Sequence, residues 1–245
     1  MKQSNNCYFS TGEILLWSLS SLAILISFLL FDRRNWLTLI ASLTGVTSLI
    51  YNAKGNPFGQ ALMIAFSLMY GIISYQEQYY GEMITYVGMT MPMAVIALVA
   101  WLRNPFDGNK AEVTVNRISQ KEALFAFALT LLVTLLFYHL LKAFHTQQLL
   151  ISTLSVTTSF LAVYLTYRRS PSFAIAYTAN DMVLILLWCL AALSDRSCLS
   201  VVVCFAAFLA NDLYGYFSWR RMAQRQAAQL QDCVVWPQRK KREAS

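Results

Sequence analysis

The chain has 245 residues, of which 57% are hydrophobic and only 13% charged, with a mean hydropathy of +0.48 and a formal net charge of +7. That is too apolar for a soluble domain, so the fold class is all-α integral membrane, with the charges confined to short segments between long apolar runs. The positive charge calls for no nucleic acid, since a topology signal and a basic tail beside lipid head groups account for it.

Hydropathy marks eight spans, at residues 13–31, 36–52, 57–75, 82–101, 122–141, 148–167, 172–192 and 198–219. The first apolar stretch, Ile14 to Phe31, is longer than a signal-peptide core and is preceded by Lys2 alone, with Glu13 at its edge. It reads as a retained helix, so residues 1–35 form an extra N-terminal unit. Spans two to four make a first triplet, residues 36–101, which ends at Trp101. Residues 102–147 hold a polar, basic loop from Arg103 to Lys121 and a linker helix. Spans six to eight make a second triplet, residues 148–219, which ends at Trp219. Residues 220–245 are a Gln-rich basic tail, expected to be a solvated helix followed by disorder and closing on Arg239, Lys240, Lys241 and Arg242.

One helix separates the triplets, so both enter the membrane from the same side and read as parallel rather than inverted repeats. Their first hairpins share a grammar: Lys54-Gly55-Asn56-Pro57-Phe58 in one, Arg168-Arg169-Ser170-Pro171-Ser172-Phe173 in the other. Orientation follows from lysine and arginine. One side carries Lys2, Lys54, Arg103, Lys110, Arg117, Lys121, Arg168, Arg169, Arg220, Arg221 and Arg225, against Arg33, Arg34, Lys142 and Arg196 on the other. A multi-pass plasma-membrane protein with both termini cytoplasmic is expected.

The polar residues within the spans are the candidate site. Asn180 and Asp181 sit mid-span, where an ionisable group costs about 2.5–3.5 kcal/mol and so faces a bundle interior or a cavity. At helical spacing, Tyr177, Asn180, Asp181, Leu184 and Trp188 share one face of span seven. Gln60, Ser67, Gly71 and Ser74 line span three with Tyr70 at their margin, and Asn211, Tyr214 and Gly215 cluster in span eight. The expected substrate-binding set is Gln60, Tyr70, Tyr177, Asn180, Asp181, Asn211 and Tyr214, meeting where the triplets face each other. Ser152, Ser155, Ser159 and Thr166 of span six read as helix-packing surface, and Glu82 and Asp212, nearer the interface, as structural. Amides, a carboxylate and phenols suit a small ligand with a ring and hydroxyl groups, a nucleoside or a vitamin precursor.

Cys7, Cys189, Cys198, Cys204 and Cys233 show no metal-ligand spacing, and His139 and His145 have no acidic partner at such spacing, so no metal or cofactor is expected. The chain has no His-Glu-x-x-His, no Gly-x-Ser-x-Gly and no phosphate-cradling glycine loop, which leaves a membrane enzyme only the pair Asp181 and Asp212. A proton-coupled carrier in which Asp181 cycles its charge and a non-transporting sensor stay open as readings.

Asn56-Pro57-Phe58-Gly59-Gln60, Tyr70, Tyr75, Tyr79-Tyr80-Gly81-Glu82, Asn180-Asp181 and the run from Asn211 to Trp219 resemble the nicotinamide riboside transporter family, PnuC, over about residues 36–220. The resemblance implies a three-plus-one-plus-three arrangement like that of SWEET sugar carriers with an extra first helix, often as a homotrimer. It implies facilitated diffusion of nicotinamide riboside, trapped inside by phosphorylation, with no cofactor. Where that family tends to carry a Trp-x-x-Trp pair this chain has Ala174 and Tyr177, and Phe58 stands where tryptophan is common. Thiamine, riboflavin or a deoxynucleoside therefore remain alternative substrates.

Overall fold

The computed structural model describes residues 8–146 and 148–243, with side chains to residue 231. Lys2, Cys7, the Cys233 side chain and the side chains of the basic run 239–242 lie outside the described residues.

Among the described residues eight helical segments are long and apolar enough to cross a membrane. They are α1 (Thr11–Phe31), α2 (Trp36–Ala53), α3 (Phe58–Gln76), a broken helix over Tyr80–Leu102, α6 (Gln120–Ala143), α7 (Leu149–Tyr167), α8 (Phe173–Ala192) and α9 (Leu199–Glu243). Ser10, Asn35 and Ser119 cap the starts of α1, α2 and α6 with their side chains, Ser10 in a reciprocal box with Glu13. The broken helix consists of α4 (Tyr80–Thr85), a π turn (Tyr86–Thr90) and α5 (Met91–Leu102). Its cause is local. Pro92 has no N–H to return to Gly88, and its ring would crowd that carbonyl in regular helix geometry, so the chain widens by one residue before it.

The helices close into a ring. α2 packs on α3, α3 on α5, α5 on α7, α7 on α8, α8 on α9 and α9 back on α2. The extra helix α1 lies outside this ring against α9 and α2, and the linker helix α6 lies outside it against α7. Both outliers leave most of their surface to lipid: only 28% of the apolar window of α1 and 17% of that of α6 is buried, against 61% for α2. Where α2 crosses α9, a Cβ on Gly45 would meet the Phe208 ring at 2.1 Å, so only glycine permits that approach.

The first hairpins of the two triplets are built alike, as their shared grammar suggested. Gly55 and Arg169 both take left-handed backbone, with φ of 67° and 57°. Asn56 N–H donates to Tyr51 O, and Ser170 N–H to Leu165 O, each at 3.0 Å. The two tryptophans cross over between triplets. Trp101 Nε1 donates to Thr166 O of α7 at 2.9 Å, Trp219 Nε1 to Asn52 O of α2 at 2.7 Å, and their rings lie 5.4 Å apart. Both are fully buried, so they are packing braces rather than interfacial anchors.

The loop after α5 has structure of its own. It forms a hairpin of β1 (Pro105–Phe106) and β2 (Asn109–Val113) around Asp107 and Gly108, whose φ values of 48° and 74° are those of a tight primed turn. From the end of β2 onward the chain straps the two triplet hairpins together, with Val113 N–H on Gly55 O and Asn116 N–H on Arg169 O. The tail departs from expectation: the last span and the tail are one helix to Glu243. Residues of high helix propensity fill Arg220 to Gln231, and Gln226 docks on β2 through Val113 O and Glu112 Oε1 at 3.0 and 2.8 Å. Arg225 pairs with Glu112 beside it.

Candidate functional site

Asn180 lies mid-way along α8, 1% exposed, with its carbonyl oxygen held by two hydroxyls of α7, Thr158 Oγ1 at 2.9 Å and Ser159 Oγ at 2.8 Å. Two donors on one acceptor fix the amide and aim its NH₂ group at Tyr86 in the π turn. The next residue, Asp181, faces Asp212 of α9, and its Oδ2 has no hydrogen-bond partner among the described residues. Glu82, in the first turn of α4, is 0% exposed; its Oε2 accepts from Ser155 Oγ of α7 at 3.2 Å while Oε1 is unpartnered. Ser67 of α3 and Thr90 of the π turn also carry unpartnered buried hydroxyls.

An aromatic wall adjoins these groups. The Tyr70 hydroxyl accepts from Trp188 Nε1 at 2.6 Å, and the Tyr70 ring meets Tyr86, Phe205 and Phe66 at centroid distances of 4.3, 5.4 and 5.6 Å. Tyr177, half-buried at the next turn of α8, reaches Thr166 and stands near Asp212. The arrangement therefore holds a fixed amide, two carboxyls each with an oxygen unpartnered among the described residues, and rings that pack closely on one another, in the seam where α4, the π turn and α3 meet α7 and α8.

The structure brings Asn180, Asp181, Tyr177 and Tyr70 into this region and turns three expected partners elsewhere. Asn211 Nδ2 donates to Ser20 Oγ of α1 at 2.9 Å, and the Tyr214 hydroxyl donates to Glu13 Oε1 of α1 at 2.8 Å. With Ser218, which donates to Ala53 O, they make the stripe of α9 that faces α1 and α2; Asp212, rotated by one residue, faces α8 instead. Gln60 binds Asn52 Oδ1 at 2.8 Å, across the α2–α3 contact. These three bond neighbouring helices, because α9 and α3 each have a polar face that another helix uses; Asn211 Oδ1 is left without a partner among the described residues.

Sequence reasoning missed Glu82, Tyr86, Thr158 and the serines of α7. Glu82 was open to the same argument as Asp181, a carboxyl within an apolar run. Ser155 and Ser159, read as packing surface, hold Glu82 and Asn180. Phe58 is half-exposed and packs on Tyr51 at 5.0 Å, so it is no part of the wall; Ala174 is buried beside Gly215. At the rim opposite the termini, burial and then Asp195 push the Glu77 carboxyl above the usual range, and burial does the same to Asp32. A cleft of about 930 Å³ opens on the terminal face, but two of its three cations, Lys54 and Arg225, are already paired with Glu13 and Glu112.

A family model described as nicotinamide mononucleotide transporter matches residues 35–221. The nicotinamide riboside transporter PnuC of Neisseria mucosa is 23% identical over 217 residues, spanning 87% of this chain and 82% of the relative. That of Haemophilus influenzae is 22% identical over 192 residues, 78% of this chain and 82% of the relative. Among solved structures, the crystal structure of the vitamin B3 transporter PnuC superposes with a TM-score of 0.79 at 19% identity, covering 89% of this chain and 94% of that one.

Proposed function

Because the chain belongs to the nicotinamide mononucleotide transporter family, a family of multi-pass membrane carriers, we propose that it moves nicotinamide riboside across the membrane by facilitated diffusion. The observation that carries the choice of riboside over mononucleotide is the make-up of the interior. Asn180, Asp181 and Glu82 are buried among aromatic rings, and among the described residues no lysine or arginine is buried to receive a phosphate. The relatives matched over most of their length bear the riboside in their names, which supports the same reading. The site is then Asn180, Asp181, Tyr177, Tyr70 and Glu82, with Asn180 hydrogen-bonding the ligand and the rings stacking on its base.

Both termini are cytoplasmic in this proposal, and phosphorylation inside the cell traps the product, so no ion gradient is needed. The two triplets rock against each other as parallel repeats, and three copies assemble. Purified protein in liposomes without any gradient should equalise labelled nicotinamide riboside across the bilayer and leave the mononucleotide outside. Transport of the mononucleotide at a comparable rate would reject the reading. The contact between Asp181 and Asp212 favours one second reading, proton-coupled transport. Accumulation driven by an imposed proton gradient, and lost in Asp181→Asn, would establish it instead.

A further inference from the structure

Glu82 and Asp181 are 0% and 2% exposed, yet neither has a cation. The ion pairs among the described residues, Lys54 with Glu13, Arg168 with Glu122 and Arg225 with Glu112, involve no carboxyl of the ring interior. Glu82 and Asp181 each keep one buried oxygen with no partner among the described residues, Glu82 Oε1 and Asp181 Oδ2, and Asp181 also meets the Asp212 carboxyl. Buried carboxyl oxygens left unmet are costly and persist where function uses them. Tyr86 lies within electrostatic reach of both carboxyls, and its ring packs on Tyr70 at 4.3 Å, within the wall that Phe66, Phe205 and Trp188 complete. Aromatic faces attract a cation, and an ionised carboxyl attracts it more strongly out of water than in it.

A single kind of ligand meets both needs, a flat ring with a permanent positive charge. We propose that Glu82 and Asp181 supply the counter-charge for such a ring, so that the carrier selects cationic heteroaromatic substrates over uncharged ones of the same shape. The proposal rests on the transporter reading above and narrows its substrate. Nicotinamide riboside and thiamine carry a cationic ring; riboflavin and deoxynucleosides do not.

The test is calorimetric titration of the purified, detergent-solubilised protein with four probes: nicotinamide riboside, its reduced and uncharged form, thiamine and riboflavin. Nicotinamide riboside should bind at least about tenfold tighter than its reduced form, the size expected when a buried charge loses its partner. That ratio should fall below about threefold in Glu82→Gln and survive in Glu82→Asp, and Asp181→Asn should lower it as well. Equal binding of charged and reduced ribosides would overturn the counter-charge and leave the riboside reading intact. So would a preference undiminished in folded Glu82→Gln and Asp181→Asn. Thiamine bound in place of nicotinamide riboside, with affinity lost in Glu82→Gln, would support the counter-charge and overturn the riboside. Should Glu82→Gln fail to fold, Glu82→Asp and Asp181→Asn decide, and binding of neither cation by the folded protein would overturn the proposal.

Discussion

Glu13 and Glu82 are both carboxyl groups inside helical spans, 3% and 0% exposed, and their surroundings differ in one respect. Glu13 is saturated: Ser10 N–H donates to it at 2.7 Å, the Tyr214 hydroxyl at 2.8 Å, and Lys54 Nζ sits 3.1 Å away. Glu82 has Ser155 on one oxygen and, among the described residues, nothing on the other. The first cluster joins α1 to α2 and α9 outside the ring, whereas the second lies between the triplets within it. A carboxyl whose bonding capacity is used up holds helices together, and one with an oxygen left over is available to a ligand. By that measure burial marks both residues equally, and only the partners tell them apart.

The sharpest way to break the comparison is Glu13→Ala. It strips three partners at once and leaves the Tyr214 hydroxyl unmet, so stability should fall by about 2–3 kcal/mol, a figure reduced because Lys54 is partly solvated. Thermal unfolding in detergent measures it, and the folded fraction should bind ligand as the parent does. A loss of binding with unchanged melting temperature would move the site to α1. Asn180→Ala should lower both affinity and stability: about 1–3 kcal/mol of binding, roughly ten- to a hundredfold in Kd, and about 0.6–1.7 kcal/mol of stability, because Thr158 and Ser159 lose their shared acceptor. Asn211→Ala sharpens the contrast between the two asparagines. It should cost about 0.6–1.7 kcal/mol of stability, the range for hydrogen bonds between helices in a membrane, and leave Kd unaltered in the same titration.

The smallest effect is expected at the rim, where Glu77 is neither saturated nor sealed in. Its folded-state carboxyl is raised, so the folded protein holds that proton more tightly than the unfolded chain does. Stability from this group is then present at low pH and declines as the pH rises through the ordinary carboxylate range toward the raised value. Melting curves across that range should show the decline, and Glu77→Gln should flatten it.

Much of the fold was legible in the chain. Seven of the eight spans begin and end within about two residues of the hydropathy reading, because a bilayer's thickness sets helix length and composition reports it directly. The exception, the last, runs on unbroken to Glu243, where the reading expected a separate solvated helix followed by disorder. The hairpin after α5 was also within reach, since Asp107-Gly108 is a turn signal that the loop's overall polarity obscured. Asn180 and Asp181 were singled out because polar groups in lipid are expensive wherever the helix goes.

The sequence by itself determined the class, the spans and the presence of costly polar groups, since each follows from local composition measured against the bilayer. Only the tertiary structure decided which of those groups lie together. Asn211 and Asp212 are neighbours in sequence, yet one turns out to α1 and the other in to α8, because successive residues on a helix point about 100° apart and every helix here has neighbours on more than one side. Periodicity shows that a helix has a polar face. What that face looks at depends on the order in which helices close the ring, and that order is fixed by contacts between residues far apart in the chain.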